Sequence, residues 1–142
     1  MSHMKLSGIA AFLAVIILSC SVMKKNDPAL KNTEWVAIEE MFVADAGTMT
    51  ITHTLKFNAQ GGVTVGWQSY MPAYPAPYMN RDGSVDIHPA TSSEYFEEGT
   101  YTSQKGILTI TIKDGSVKHY TIQDNTLVSM TSYGVKLVFT KK

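Results

Sequence analysis

Strict alternation of apolar and polar residues is the feature that most narrows what this chain can fold into. In "TMTITHTLKF", residues 48–57, Met49, Ile51, His53, Leu55 and Phe57 hold one set of positions, and Thr48, Thr50, Thr52, Thr54 and Lys56 the other. Successive side chains of a strand point to opposite faces, so the segment predicts a half-buried β-strand rich in β-branched residues. "VTVGWQSY" repeats the pattern, with Val63, Val65 and Trp67 on one face. "NAQGG" separates the two strands, and its two glycines supply turn geometry. From Thr33 onward no long stretch of helical period competes.

The second half reads as a run of hairpins. "YFEEGTYTSQ" passes through Lys105-Gly106 into "ILTITIK", where Leu108, Ile110 and Ile112 alternate with threonines. Asp114-Gly115 predicts a two-residue hairpin turn. "SVKHYTIQ", Asp124-Asn125, "TLVSMTS", Tyr133-Gly134 and "VKLVFTK" follow. With "EWVAIEEMF" at the start, the spacing predicts an all-β antiparallel meander of about eight strands. Closure into a barrel removes its exposed edges. A barrel of that size is just wide enough to be filled by side chains or to hold one small ligand.

The N-terminus follows other rules. An apolar run from Ile9 to Leu18 follows a single lysine, Lys5. It is too short for about 30 Å of hydrocarbon but matches a signal-peptide core. It ends at Cys20, the sole cysteine of the 142 residues, so no intramolecular disulfide forms. "Ile17-Leu18-Ser19-Cys20" resembles a bacterial lipobox, which implies cleavage before Cys20 and its lipidation. Several acyl chains on one cysteine anchor stably, at about 0.8 kcal/mol for each buried CH₂. The expected organisation is a lipoprotein signal peptide over 1–20, a flexible tether over 21–32 and a barrel domain over 33–142. The tether "SVMKKNDPALKN" is polar with one proline. The formal charge is zero and no basic stripe is present, which argues against a nucleic-acid partner.

A family resemblance rests on several segments. "LKNTEWVAIEE" is similar to the Leu-x-Gly-x-Trp opening of lipocalin-like proteins, with Asn32-Thr33 standing where the glycine would be. "LKFNAQGGVTV", "GTYTSQKGILTITIKDGSVKHYTIQDNTLVSM" and "KLVFTKK" resemble the repeating pattern of small bacterial lipocalin-like lipoproteins. The resemblance implies a lipocalin-like barrel that binds a small, largely apolar ligand without catalysis. With the lipobox it implies a cell-envelope protein, anchored through Cys20 to a bacterial membrane, expected on the periplasmic side of the outer membrane.

Candidate contacts come from two places. "GWQSYMPAYPAPYMNRDG" sets Trp67, Tyr70, Tyr74 and Tyr78 among Pro72, Pro75 and Pro77. Residues 71–90 read as a stiff connection of about twenty residues among short turns, a length typical of lids and binding loops. Tyrosine and tryptophan offer amphipathic contact area at low entropy cost. One reading makes these aromatics packing that plugs a barrel end or covers an edge. The other makes the four of them the gate of a ligand mouth or, over 67–80, a surface for an envelope protein or glycan. His53 falls on the apolar face of its strand, as a core residue or as a polar ligand contact from inside.

Other patterns carry less. No histidine pair has metal-ligand spacing, so no metal and no cofactor is expected. "NRDGSVD" alternates oxygen-bearing side chains, but Asp82-Gly83 reads better as a turn than as a calcium loop. Glu39-Glu40 are strand neighbours on opposite faces, and with Glu94, Glu97 and Glu98 they read as solvated. No nucleophile elbow, phosphate loop or dinucleotide fingerprint occurs, and a non-enzymatic protein is expected.

Overall fold

A computed structural model describes residues 28–142; the expected signal peptide, Cys20 and the first part of the tether lie outside the described residues. The strands in chain order are β1 (Thr33–Val43), β2 (Gly47–Phe57), β3 (Gly62–Met71), β4 (Tyr74–Pro75), β5 (Ile87–His88), β6 (Thr91–Gln104), β7 (Ile107–Ile112), β8 (Val117–Gln123), β9 (Thr126–Met130) and β10 (Lys136–Lys141). All but β4 and β5 form one closed antiparallel barrel in the order β1-β10-β9-β8-β7-β6-β3-β2. This is the expected meander, closed where Trp35 and Val36 of β1 pair with Lys141 and Thr140 of β10.

The alternation decides which residues face inward. Leu55 and Phe57 on β2, Val63 and Val65 on β3, and Leu108, Ile110 and Ile112 on β7 are all buried together. Leu108 and Ile110 are 0 % exposed. Trp35, Tyr101, Leu127 and Phe139 complete this core. Edge-to-face ring pairs lock it, Phe57 on Tyr101 at 4.8 Å between centroids and Tyr120 on Phe139 at 5.7 Å.

The domain begins before Thr33. Pro28–Leu30 form a 3-10 turn, and Leu30 is buried in the core. The Thr33 hydroxyl donates to the Leu30 carbonyl at 2.6 Å, and the Trp35 indole N–H donates to that hydroxyl oxygen at 2.7 Å. The last part of the expected tether is therefore a plug at the closed end. Asn32, where the opening pattern has a glycine, sits at φ 54°. That left-handed conformation favours glycine, and asparagine is among the few other residues that tolerate it.

Turn geometry corrects one expectation. Ile112 N–H donates to the Ser116 carbonyl, so Asp114-Gly115 belongs to a three-residue loop and not to a two-residue turn. Such loops end in a left-handed residue, and Gly115 supplies it at φ 91°. The same closure joins Asn58 to Gly62 and Thr131 to Val135.

The barrel wall is uneven. β1, β2, β3 and β6 have 11, 11, 10 and 14 residues, against 6, 7, 5 and 6 for β7 to β10. At the open end the long strands stand above the short ones. β6 pairs with β3 through residues 91–100 and with β7 through 99–104. It changes partner at Gly99, where a Cβ would meet the Thr111 carbonyl. The β9–β10 hairpin is paired to β1 and β8 only near the closed end. Between β3 and β6 the chain continues as a hairpin arm. β4 and β5 pair Tyr74 with His88, Ala76 N–H donates to the Asp86 carbonyl, and Asn80 N–H donates to the Ser84 carbonyl. The segment read as a long loop is thus an extension of the β3–β6 hairpin.

Candidate functional site

Above the core, the inward positions change chemistry while the alternation continues. There the barrel opens into a cup of about 560 Å³, within the range of small-molecule sites. Buried Leu55, Tyr120, Leu137 and Phe139 form its floor, and His53, Trp67, Tyr95, Glu97, Lys118 and Ser129 its wall.

Strand register sets these neighbours. β2 and β3 pair His53 with Trp67, and β3 and β6 pair Trp67 with Tyr95 and Val65 with Glu97. The Trp67 and Tyr95 rings lie 6.4 Å apart at 34°. Gly66, between Val65 and Trp67, has the Phe96 ring where its Cβ would be. A side chain there would push that ring off the outer wall.

The polar groups of the cup are held in place. Glu97 accepts from the Tyr95 hydroxyl at 3.2 Å and from Lys118 Nζ at 3.4 Å. The hydrogen bond to Glu97 and its negative charge push the Tyr95 phenol above its ordinary range. Burial, then the Glu97 charge, pushes Tyr120 up to about 12. At neutral pH Tyr120 therefore presents an intact hydroxyl at the cup floor. His53 Nε2 lies 2.8 Å from Oε2 of Glu39, a carboxylate that is only 5 % exposed. The two are diagonal neighbours on the β1–β2 ladder, where Ala37 faces His53 and Glu39 faces Ile51.

Of the residues singled out in the sequence, His53 and Trp67 meet in the cup. Tyr70 has the opposite parity to Trp67 and stands exposed on the other face of β3. Tyr74 stacks on His88 in the arm at 4.7 Å, and Tyr78 is exposed beyond it. Cys20 lies outside the described residues. His119 points outward and hydrogen-bonds Thr109 at 3.3 Å.

Sequence reasoning missed Tyr95, Lys118 and Tyr120, and it placed Glu39 and Glu97 on solvated faces. Glu39 is buried, and Glu97 lies on the inner register of β6. The signal for Glu39 was present. It follows Trp35 and Ala37 at period 2, so the alternation that buries those residues buries it too. Glu40, Glu94 and Glu98 are exposed, as expected.

Two other features are accounted for by local bonding. A larger groove of about 700 Å³ runs past Lys56, Asn58, Glu98 and Lys113. Two surface ion pairs lie along it, Lys113 with Glu98 at 2.7 Å and Glu34 with Lys142 at 3.1 Å. In "NRDGSVD" Asp82 accepts from the backbone N–H and the hydroxyl of Ser84 at 3.0 and 2.6 Å, which holds its carboxyl below the usual range. That carboxylate is committed to the turn. Among the described residues no group of three or more His, Cys, Asp or Glu is arranged to hold a metal.

No protein-family model matches the chain, and neither a curated protein nor a solved structure does.

Proposed function

We propose that the chain is a non-enzymatic, lipocalin-like envelope lipoprotein that binds a small, largely apolar molecule at the open end of its barrel. The observation that carries this reading is the cup of about 560 Å³ above a filled core, with aromatic and polar side chains converging on it. The ligand is a compact ring compound, not a long chain, because Leu55, Tyr120 and Phe139 block deeper penetration. Trp67 and Tyr95 offer faces for a ring, and His53, Lys118 and Tyr120 offer polar atoms. Among the described residues His53 hydrogen-bonds Glu39 and not a serine, threonine or cysteine side chain, so the arrangement favours binding over acyl transfer.

Fluorescence of 1-anilinonaphthalene-8-sulfonate tests the cup. The dye should bind the native chain, and a ligand at 100 times its Kd should stabilise the fold by about 2.7 kcal/mol. Trp67→Ala should weaken both effects. Unchanged dye binding in that variant would sink the reading. The lipid anchor rests on the lipobox, and its place on the periplasmic side of the outer membrane on the lipobox together with the family resemblance. Cys20→Ser should move the protein from the membrane to the soluble envelope fraction, and retention in membranes would reject Cys20 as the anchor.

A second reading is favoured by the hairpin arm. Tyr78, Met79, Val85 and Ile87 are exposed on it, as an interaction module for an envelope protein or glycan would require. Tyr70, Tyr74 and Tyr78 belong to this reading and not to the cup.

A further inference from the structure

Glu39 is an expensive residue to place where it is. A carboxylate taken out of water costs several kcal/mol unless it is paired and hydrogen-bonded. Its inward position on β1 sets it 2.8 Å from the His53 ring. A carboxylate only accepts, so the proton of that hydrogen bond sits on Nε2 of His53. In the neutral ring the second nitrogen, Nδ1, is then a bare acceptor. Among the described residues Nδ1 has no partner. His53 forms part of the cup wall, edge-to-face with Phe139 at 6.5 Å between ring centroids and with Trp67 opposite it on β3. The His53 side chain is 22 % exposed, so its ring can be reached by a donor entering the cup.

We infer that Nδ1 of His53 is the specificity-determining acceptor of the cup and that Glu39 is its positioning residue. The ligand class follows: a flat ring compound carrying a hydroxyl or N–H donor, such as a phenol or an indole, with its ring against Trp67 and Tyr95 and its donor on Nδ1. The carboxylate of the cup, Glu97, accepts from Tyr95 and Lys118 and keeps further lone pairs, so the test varies Glu39 and His53 while leaving Glu97 in place. The inference rests on the reading of the cup as a small-molecule site.

The test uses two probes of the same ring, 2-naphthol and 2-methoxynaphthalene, which differ by a methyl group in place of the donor hydrogen. The ratio of their dissociation constants is measured by calorimetric titration of the full chain and of the variants. In the wild type 2-naphthol should be favoured about tenfold, the worth of one hydrogen bond in the cup. Glu39→Gln keeps the side-chain shape but can donate to Nε2, moving the ring proton to Nδ1. The preference should then collapse or reverse toward the ether. The double variant Glu39→Leu/His53→Phe, which leaves no unpaired carboxylate, should bind both probes about equally. Nitrogen NMR of the His53 ring gives an independent readout: Nε2 protonated and Nδ1 bare in the wild type. Equal affinities in the wild type, or a ratio unmoved by Glu39→Gln, would overturn the inference and leave the cup as a ligand site. Binding of neither probe to the wild type would overturn both.

Discussion

The two ends of the barrel are built from the same strands and do opposite things. At the closed end β1, β2, β3 and β6 turn Trp35, Leu55, Val63 and Tyr101 inward, and all are buried. A few residues along, the same strands on the same register turn Glu39, His53, Trp67 and Tyr95 inward. The backbone pattern does not change between the ends. The inward residues change from aliphatic and aromatic to polar-tipped, and the partner strands β7 to β10 become too short to cover Trp67 and Tyr95. Stability is thus concentrated below and binding capacity above, an arrangement that leaves the site free of the close packing that holds the fold together.

This contrast predicts a graded series of effects. Leu108→Ala should have the largest, because it empties a site of 0 % exposure at the centre of the closed end. A loss of about 3–5 kcal/mol is expected, read as a fall in thermal midpoint of more than about 10 °C. Trp67→Ala removes more atoms from the open end, yet it should cost less than half as much. Equal losses would show that the open end is core.

His53→Ala comes next. It strands the Glu39 carboxylate without its partner, at a cost of about 3–4 kcal/mol. The double change Glu39→Leu/His53→Leu should recover much of that loss in chemical denaturation. Additive losses would show that the pair is not coupled.

Tyr120 gives a pH effect of about 2–3 kcal/mol, because burial holds its phenol proton in the folded state. Its folded value of about 12 lies above its ordinary value of 10. The folded state therefore holds the phenol proton more tightly than the unfolded state does. The stabilisation is complete below pH 10 and is lost as pH rises from 10 through 12. Urea unfolding across that window should be steeper in pH for the wild type than for Tyr120→Phe. Identical slopes would place Tyr120 in contact with solvent.

The smallest effect should come from the arm. Joining Met71 to Thr91 through a two-residue Asn-Gly turn keeps the β3–β6 ladder and should change stability by less than about 1 kcal/mol. Naphthol binding in the cup should be unaffected. Loss of binding would return the arm tyrosines to the mouth.

Much of the closed end could be read from order along the chain. A strand alternates its faces every residue whatever it pairs with, so the inward positions of Leu55, Phe57, Leu108, Ile110 and Ile112 follow from local pattern alone. So does the inward position of His53. The hairpins between consecutive strands were legible for a similar reason, since turn residues act over a few bonds. Loop length was less so, because Asp114-Gly115 suits both a two-residue and a three-residue closure.

The cup needed the third dimension. Glu39 and His53 are 14 residues apart and become partners only through the β1–β2 register. Trp67 meets Tyr95 across the whole arm, and Lys118 reaches Glu97 from β8. Register fixes distances between strands, and no periodicity within one strand carries that information. The aromatic arm misled for the converse reason: Tyr70, Tyr74 and Tyr78 are close in sequence, and the pleat and the hairpin separate them. Local alternation thus settled which residues face inward, because successive side chains of a strand take opposite faces. Pairing and strand length settled which of the inward groups meet, and therefore where the chain has room for a ligand.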